Sequence, residues 1–150
     1  MNDDVLNRLA DLERRVAALE SGARADGTGM VGYRGRTEEP LELEWEITVT
    51  PARALALDDG PRAEVLAALG NPARLAIVRA LAARGPQPAA ALQEAAGLGS
   101  TGQLYHHLKA LTGAGIVEPD KRGSYRLPAR ATIPVLVLLT AAADVAGQLR

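Results

Sequence analysis

Residues 100–127 read STGQLYHHLKALTGAGIVEPDKRGSYRL, and the fold turns on how this stretch is read. A hydroxyl at Ser100 or Thr101 can accept from the free N–H groups of a first helical turn, which predicts a helix starting there. Leu104, Leu108 and Leu111 recur at helical spacing and mark its buried side. The opposite arc carries Thr101, Gly102, Gln103, Tyr105, His106 and Lys109, all small, hydrogen-bonding or basic. Gly113-Ala114-Gly115 should close the helix, because glycine accepts the left-handed backbone of a C-terminal cap. Ile116 and Val117, the polar turn Asp120-Lys121-Arg122-Gly123 and Ser124-Tyr125-Arg126-Leu127 then predict a two-stranded hairpin with a basic tip.

A helix followed by a basic hairpin points to a winged helix. In such a unit a recognition helix over 100–114 enters the major groove of double-stranded DNA, and a wing over 116–127 reaches neighbouring phosphates. The run AAALQEAAGLGS just upstream predicts a helix of about two turns ending at Gly97, with Gly99-Ser100 leading into the next. Helix, tight glycine turn and helix form a helix-turn-helix. Within it, Gln103 can bond bidentately to adenine, and His106 lies one turn further along the same arc. Either could equally meet only phosphate or solvent. Tyr105 could stack, bond to a phosphate or cover the junction with the wing. Lys121, Arg122 and Arg126 are read as phosphate contacts, which add affinity without specifying sequence. His107, beside Leu104 and Leu111, is expected to pack and donate to a backbone carbonyl.

Upstream again, Asn71 is read as the cap of a helix with Pro72 behind it, running through Leu75, Ile77, Val78 and Leu81 to Gly85. Before it, Val65, Leu66 and Leu69 mark a helix, with Asp59-Gly60-Pro61 interrupting the chain ahead of it. Thr50-Pro51 is a helix-start pair for a brief helix through Leu57. Residues 41–50, LELEWEITVT, alternate strictly: Leu41, Leu43, Trp45, Ile47 and Val49 on one face, glutamates and threonines on the other. With residues 30–37 they predict a hairpin with one apolar and one acidic face. That hairpin should rest on the helices or on a second subunit, with Trp45 as its anchor. Its three glutamates lack the turn carbonyls or Asp cluster a hard cation needs, so they are read as a solvated face.

At the amino end, Val5, Leu9, Leu12, Val16 and Leu19 follow alternating steps of four and three, the seam of a short coiled coil joining two chains. A helix folded back on its own domain is the alternative. At the other end Thr132 is read as the cap of a helix that is apolar on nearly every side from Ile133 to Ala143. It includes Val135, Leu136, Leu138 and Leu139, which makes it a dimerisation candidate or else a core helix. The expected organisation is therefore a coiled-coil arm over 1–20, a linker over 21–29, a β-hairpin over 30–50 and a winged helix-turn-helix domain over 51–150. The class is mainly α with small β.

Composition narrows the function. Hydrophobic residues make up 47% of 150, with no Phe and one Trp, so the core must be built from Ala, Leu and Val. Without cysteine there is no disulfide framework, thiolate metal site or thiol redox sensor. No apolar signal segment opens the chain, and no run approaches a membrane span, so a cytoplasmic location is expected. Net charge is only −1, but residues 1–60 carry 7 basic and 13 acidic side chains, a balance of −6, and residues 71–130 carry 8 and 3, a balance of +5. The basic half is the half with the recognition helix, which favours a polyanionic partner there.

Two phrases resemble the ArsR-like family of winged-helix repressors. The family's Leu-Gly-x-Pro-x-Arg-Leu opening stands here as Leu69-Gly70-Asn71-Pro72-Ala73-Arg74-Leu75. Its His-Leu-x-x-Leu-x-x-Ala-Gly-Leu-Val ending stands as His107 to Val117, with Ile116 for the leucine. The resemblance spans about residues 61–147 and implies dimers, paired through the first and last helices, that bind palindromic operators and release them to an effector. Three features depart from the family. No cysteine is present in the LQEAAG helix where metal-sensing members carry them, Tyr105 replaces a common serine, and the arm and acidic hairpin are additions.

The leading expectation is a homodimeric, or tetrameric, sequence-specific DNA-binding repressor without catalytic activity, metal or cofactor, answering to an unidentified small-molecule or protein effector. The alternative is a winged-helix interaction module that recruits a protein through the arm and acidic hairpin. An enzyme finds little support: the two histidines are adjacent, and there is no nucleophile elbow, phosphate loop or spaced ligand set.

Overall fold

Polar residues placed just ahead of apolar runs start most of the helices. Asn71 Oδ1 accepts from the N–H groups of Ala73 (3.0 Å) and Arg74 (3.2 Å), with Pro72 opening the helix behind it. Ser100 Oγ accepts from Gln103 N at 3.3 Å, and Thr50 Oγ1 from Arg53 N at 3.2 Å. Each such cap is worth about 1 kcal/mol. The computed structural model describes residues 3–24 and 29–150, with side chains given for residue 5, residues 7–17 and residues 29–150.

In chain order the elements are helix α1 (Asp3–Arg24), strands β1 (Val31–Thr37) and β2 (Leu43–Val49), helices α2 (Pro51–Ala56), α3 (Asp59–Leu69) and α4 (Pro72–Arg84), strand β3 (Gln87–Pro88), helices α5 (Ala89–Ala95) and α6 (Thr101–Gly113), strands β4 (Glu118–Pro119) and β5 (Ser124–Arg126), and helix α7 (Ala129–Val145). By contacts the chain divides into two units, residues 1–32 with 47–57, and residues 33–46 with 58–150. The division falls inside the hairpin, and α2 goes with the amino-terminal arm.

In the first unit α1 runs to Arg24, so it takes in the first four residues of the expected linker; residues 25–28 lie outside those described. Val5, Leu9, Leu12 and Val16 all stay exposed, between 49% and 54%, so within this chain the seam is uncovered. The side chain of Leu19 lies outside the described set.

The second unit holds the core. Ile77, Val78, Leu81, Leu92, Leu104, Leu108, Leu111, Ile116 and Val117 are almost wholly removed from solvent. Burying each such side chain contributes about 1.5–3 kcal/mol relative to leaving it in water. Two expectations change here. Asp59-Gly60-Pro61 do not interrupt the chain; they form the first turn of α3, with Asp58 Oδ1 accepting from Gly60 N at 3.1 Å. And α7 begins at Ala129, not at Thr132, whose hydroxyl donates instead to the Pro128 carbonyl at 3.0 Å inside the helix.

Helix α7 is also more one-sided than its composition predicts. Val135 is 3% exposed and belongs to the core of its own protomer, which removes it from any dimer surface. Leu138 and Leu139 are partly buried against the same core, and Leu136 is half-buried. Only the far end presents a large apolar side chain fully to water, Val145 at 90%. The expectation that Trp45 anchors the hairpin also fails within this chain: Trp45 and Ile47 are each 39% exposed.

Candidate nucleic-acid interface

Helix α5, the turn over residues 96–100 and helix α6 form the helix-turn-helix. The turn is made by Gly97, at φ 63, where a left-handed residue is needed. Leu98 N then donates to Gln93 O (3.0 Å) and Gly97 N to Glu94 O (3.0 Å), the double bond pattern of a Schellman cap. Gln93 Nε2 adds a bond to Leu98 O at 3.3 Å. Leu92, Leu104, Leu108 and Leu111 seal the buried side, so α6 has one orientation open to it. Its end repeats the same cap: Ile116 N donates to Leu111 O and Gly115 N to Thr112 O.

This arrangement leaves Thr101, Gly102, Gln103, Tyr105, His106 and Lys109 exposed along one arc, Tyr105 at 53%. Ser100 is exposed at the same end, with its hydroxyl engaged in capping. The expected arc is thus assembled as one surface. His107 departs from expectation, because its Nδ1 is buried with no hydrogen-bond partner. Desolvation first, then the charge of Arg74, then His106 hold its pKa below the usual histidine value. The two histidine rings meet edge-on with centroids 5.6 Å apart, and among the described residues no group of three His, Cys, Asp or Glu could hold a metal.

The wing is a three-stranded sheet in the order β3-β5-β4, all antiparallel, with Gln87 opposite Tyr125 and Glu118 opposite Arg126. Asp120 N donates to Ser124 O at 2.8 Å to close the tip. The tip itself is a single 3-10 turn in which Arg122 is held at φ 51, ψ 52, a left-handed conformation unusual for a residue with a side chain. Lys121 and Arg122 are exposed, and neither has a carboxylate within ion-pair distance among the described residues. Arg126 differs: its Nε donates to Glu118 Oε1 at 2.8 Å, and its NH1 lies 3.8 Å from Asp120 Oδ1. Directly opposite positions of an antiparallel pair bring these charges together. Arg126 therefore balances the wing's own acids, and the free positive charge of the wing sits at its tip.

Two structural parts were hidden from sequence reasoning. Strand β3 is only Gln87 and Pro88, following Pro86, too short to show alternation. Arg74 turns back, its Nε donating to Ala68 O (2.6 Å) and its NH2 to Ala67 O (3.1 Å), so a cation closes the C-terminal end of α3. With Asn71 as cap and Leu69 and Leu75 against the core, Arg74 gives the Leu69–Leu75 phrase its physical content: it locks α3 onto α4.

The helix-turn-helix domain family matches the chain over residues 69–120. Among solved structures, the solution structure of a homodimeric winged helix-turn-helix DNA-binding domain from Mycobacterium bovis is similar, at 28% identity and a TM-score of 0.52. It is a fragment of 100 residues described as a possible ArsR-family transcriptional regulator, and the match covers 68% of this chain and 94% of that one. A crystal structure of a possible transcriptional regulatory protein from the same organism, fragment 1–100, shares 30% identity over 56% of this chain and 91% of that chain, with a TM-score of 0.49. Among curated proteins, none matches significantly.

Proposed function

We propose that this chain, whose helix-turn-helix match and likeness to a homodimeric winged helix-turn-helix domain support a place among the ArsR-like transcriptional regulators, binds double-stranded DNA as a homodimer and represses transcription from a palindromic operator. In this reading Gln103 and His106 of α6 meet base edges, Thr101, Tyr105 and Lys109 flank them, and Lys121 and Arg122 hold phosphates beside the groove. The observation that carries it is the exposed polar arc of α6 standing with two uncommitted cations at the wing tip. An α-helix fits the major groove, and its first turns carry the reading side chains. Support for a two-chain assembly comes from the uncovered apolar seam of α1 and from the homodimeric relative.

Selection of bound duplexes from a random pool tests the reading. Enriched sequences should carry inverted half-sites about one helical turn, roughly 10.5 bp, apart. A promoter carrying that site should lose activity in the protein's presence. Folded protein that enriches no sequence at low salt would refute the proposal. A second reading, an interaction module, is favoured by the half-exposed Trp45 and Ile47 beside an acidic strand face. It predicts one stoichiometric protein partner whose capture survives Lys121→Glu with Arg122→Glu; loss of capture in that variant rejects it.

A further inference from the structure

Within the second unit, a cavity of about 340 Å³ opens between the hairpin turn, the end of α4, the base of the wing and the start of α7. Its roof is held in place at two points. Thr37 Oγ1 donates to Leu41 O at 2.8 Å across the turn, and Pro40 packs on Gly85 so closely that a Cβ there would meet the ring at 3.3 Å. Gly85 also sits at φ 76, so a side chain is doubly disfavoured. The walls are mostly apolar: Pro40, Leu41, Leu81, Ala82, Leu127 and Leu136. A volume of this size is in the range of small-molecule pockets, which are likewise mainly apolar with a few placed polar groups.

Two charged side chains line it, Glu39 and Arg126. Arg126 is already neutralised by Glu118 and Asp120, so an anionic ligand would have to displace a short charge-assisted bond. Glu39 is exposed at the rim and has no cationic partner within ion-pair distance among the described residues. The charge left for a ligand to complement is therefore negative. We infer that this cavity binds a small organic cation, an aromatic or aliphatic body seated among the leucines and prolines with its ammonium group at Glu39. Arg126 and Leu127 belong to or adjoin β5, so an occupant touches the base of the wing. Its consequence for DNA affinity rests on the function proposed above, whereas its binding does not.

The test is calorimetric titration of the full chain, without DNA, using three probes of one shape: 2-naphthylmethylamine, 2-naphthylmethanol and 2-naphthylacetate. The amine should bind tightest and the acetate weakest. Glu39→Gln should weaken the amine by about two- to fivefold, as expected for an exposed ion pair, and leave the alcohol unchanged. Ala82→Leu should narrow the cavity and weaken binding of both, with circular dichroism confirming that each variant is folded. Equal affinity for amine and acetate, amine binding indifferent to either substitution, or no binding of any probe overturns the inference. A separate DNA titration with and without the amine reads the regulatory consequence.

Discussion

Replacing Lys121 by alanine and Arg122 by glycine should flatten the salt dependence of DNA binding, whereas replacing Arg126 should not. Both tip residues are exposed, and glycine suits the φ of 51 at position 122, so the fold should be little disturbed. Each phosphate neutralised contributes about 0.9 to the slope of log K against log salt, so two cations on each of two protomers should lower the slope by about 3.6. Between 50 and 200 mM salt, that difference makes the wild type lose roughly 150-fold more affinity than the variant. Fluorescence anisotropy with a selected duplex at five or six salt concentrations measures it. Arg126→Ala removes a cation that Glu118 and Asp120 already hold, and the slope should move by less than about 0.9. Equal flattening in the two proteins, or an unchanged slope in the tip variant, would refute the division of charge drawn from the wing's register.

Arg74→Met should destabilise the second unit by about 1.5–3 kcal/mol in chemical denaturation, since it removes two bonds from a charged donor to the end of α3; a change below about 0.5 kcal/mol would place the α3–α4 lock elsewhere. Leu9→Glu with Leu12→Glu should shift the protein toward smaller assemblies in sedimentation equilibrium while leaving helix content nearly intact, and an unshifted mass would remove α1 from the interface. For His107, the folded state disfavours the protonated ring. The unfolded chain therefore binds more protons as pH falls below 6.5, and stability drops over that window. His107→Gln should reduce this acid sensitivity, and a denaturation midpoint with the same pH profile as the wild type would contradict the assignment.

Much of the recognition unit was legible because it depends on local chemistry. Ser100 and Asn71 cap helices through bonds to N–H groups two or three residues away, and Leu104, Leu108 and Leu111 share a face through helical period alone. The hairpin followed from strict alternation over residues 41–50. What escaped were features set by partners distant in sequence. Arg126 looked like another basic residue of the wing until the pairing of β4 with β5 put Glu118 opposite it. Val135 looked like an interface residue because composition counts apolar side chains without saying which of them the core has already taken.

The amino-acid order alone determined where α2, α4 and α6 start, which side of α6 is apolar, and that a helix-turn-helix with a basic hairpin follows, since these rest on interactions within a few residues. Only the tertiary structure decided which charges remain unspent, that β3 completes the wing, that Arg74 ties α3 to α4, and that a cavity opens beneath the hairpin turn. Those outcomes depend on strand register and on packing between segments tens of residues apart, which no local pattern encodes.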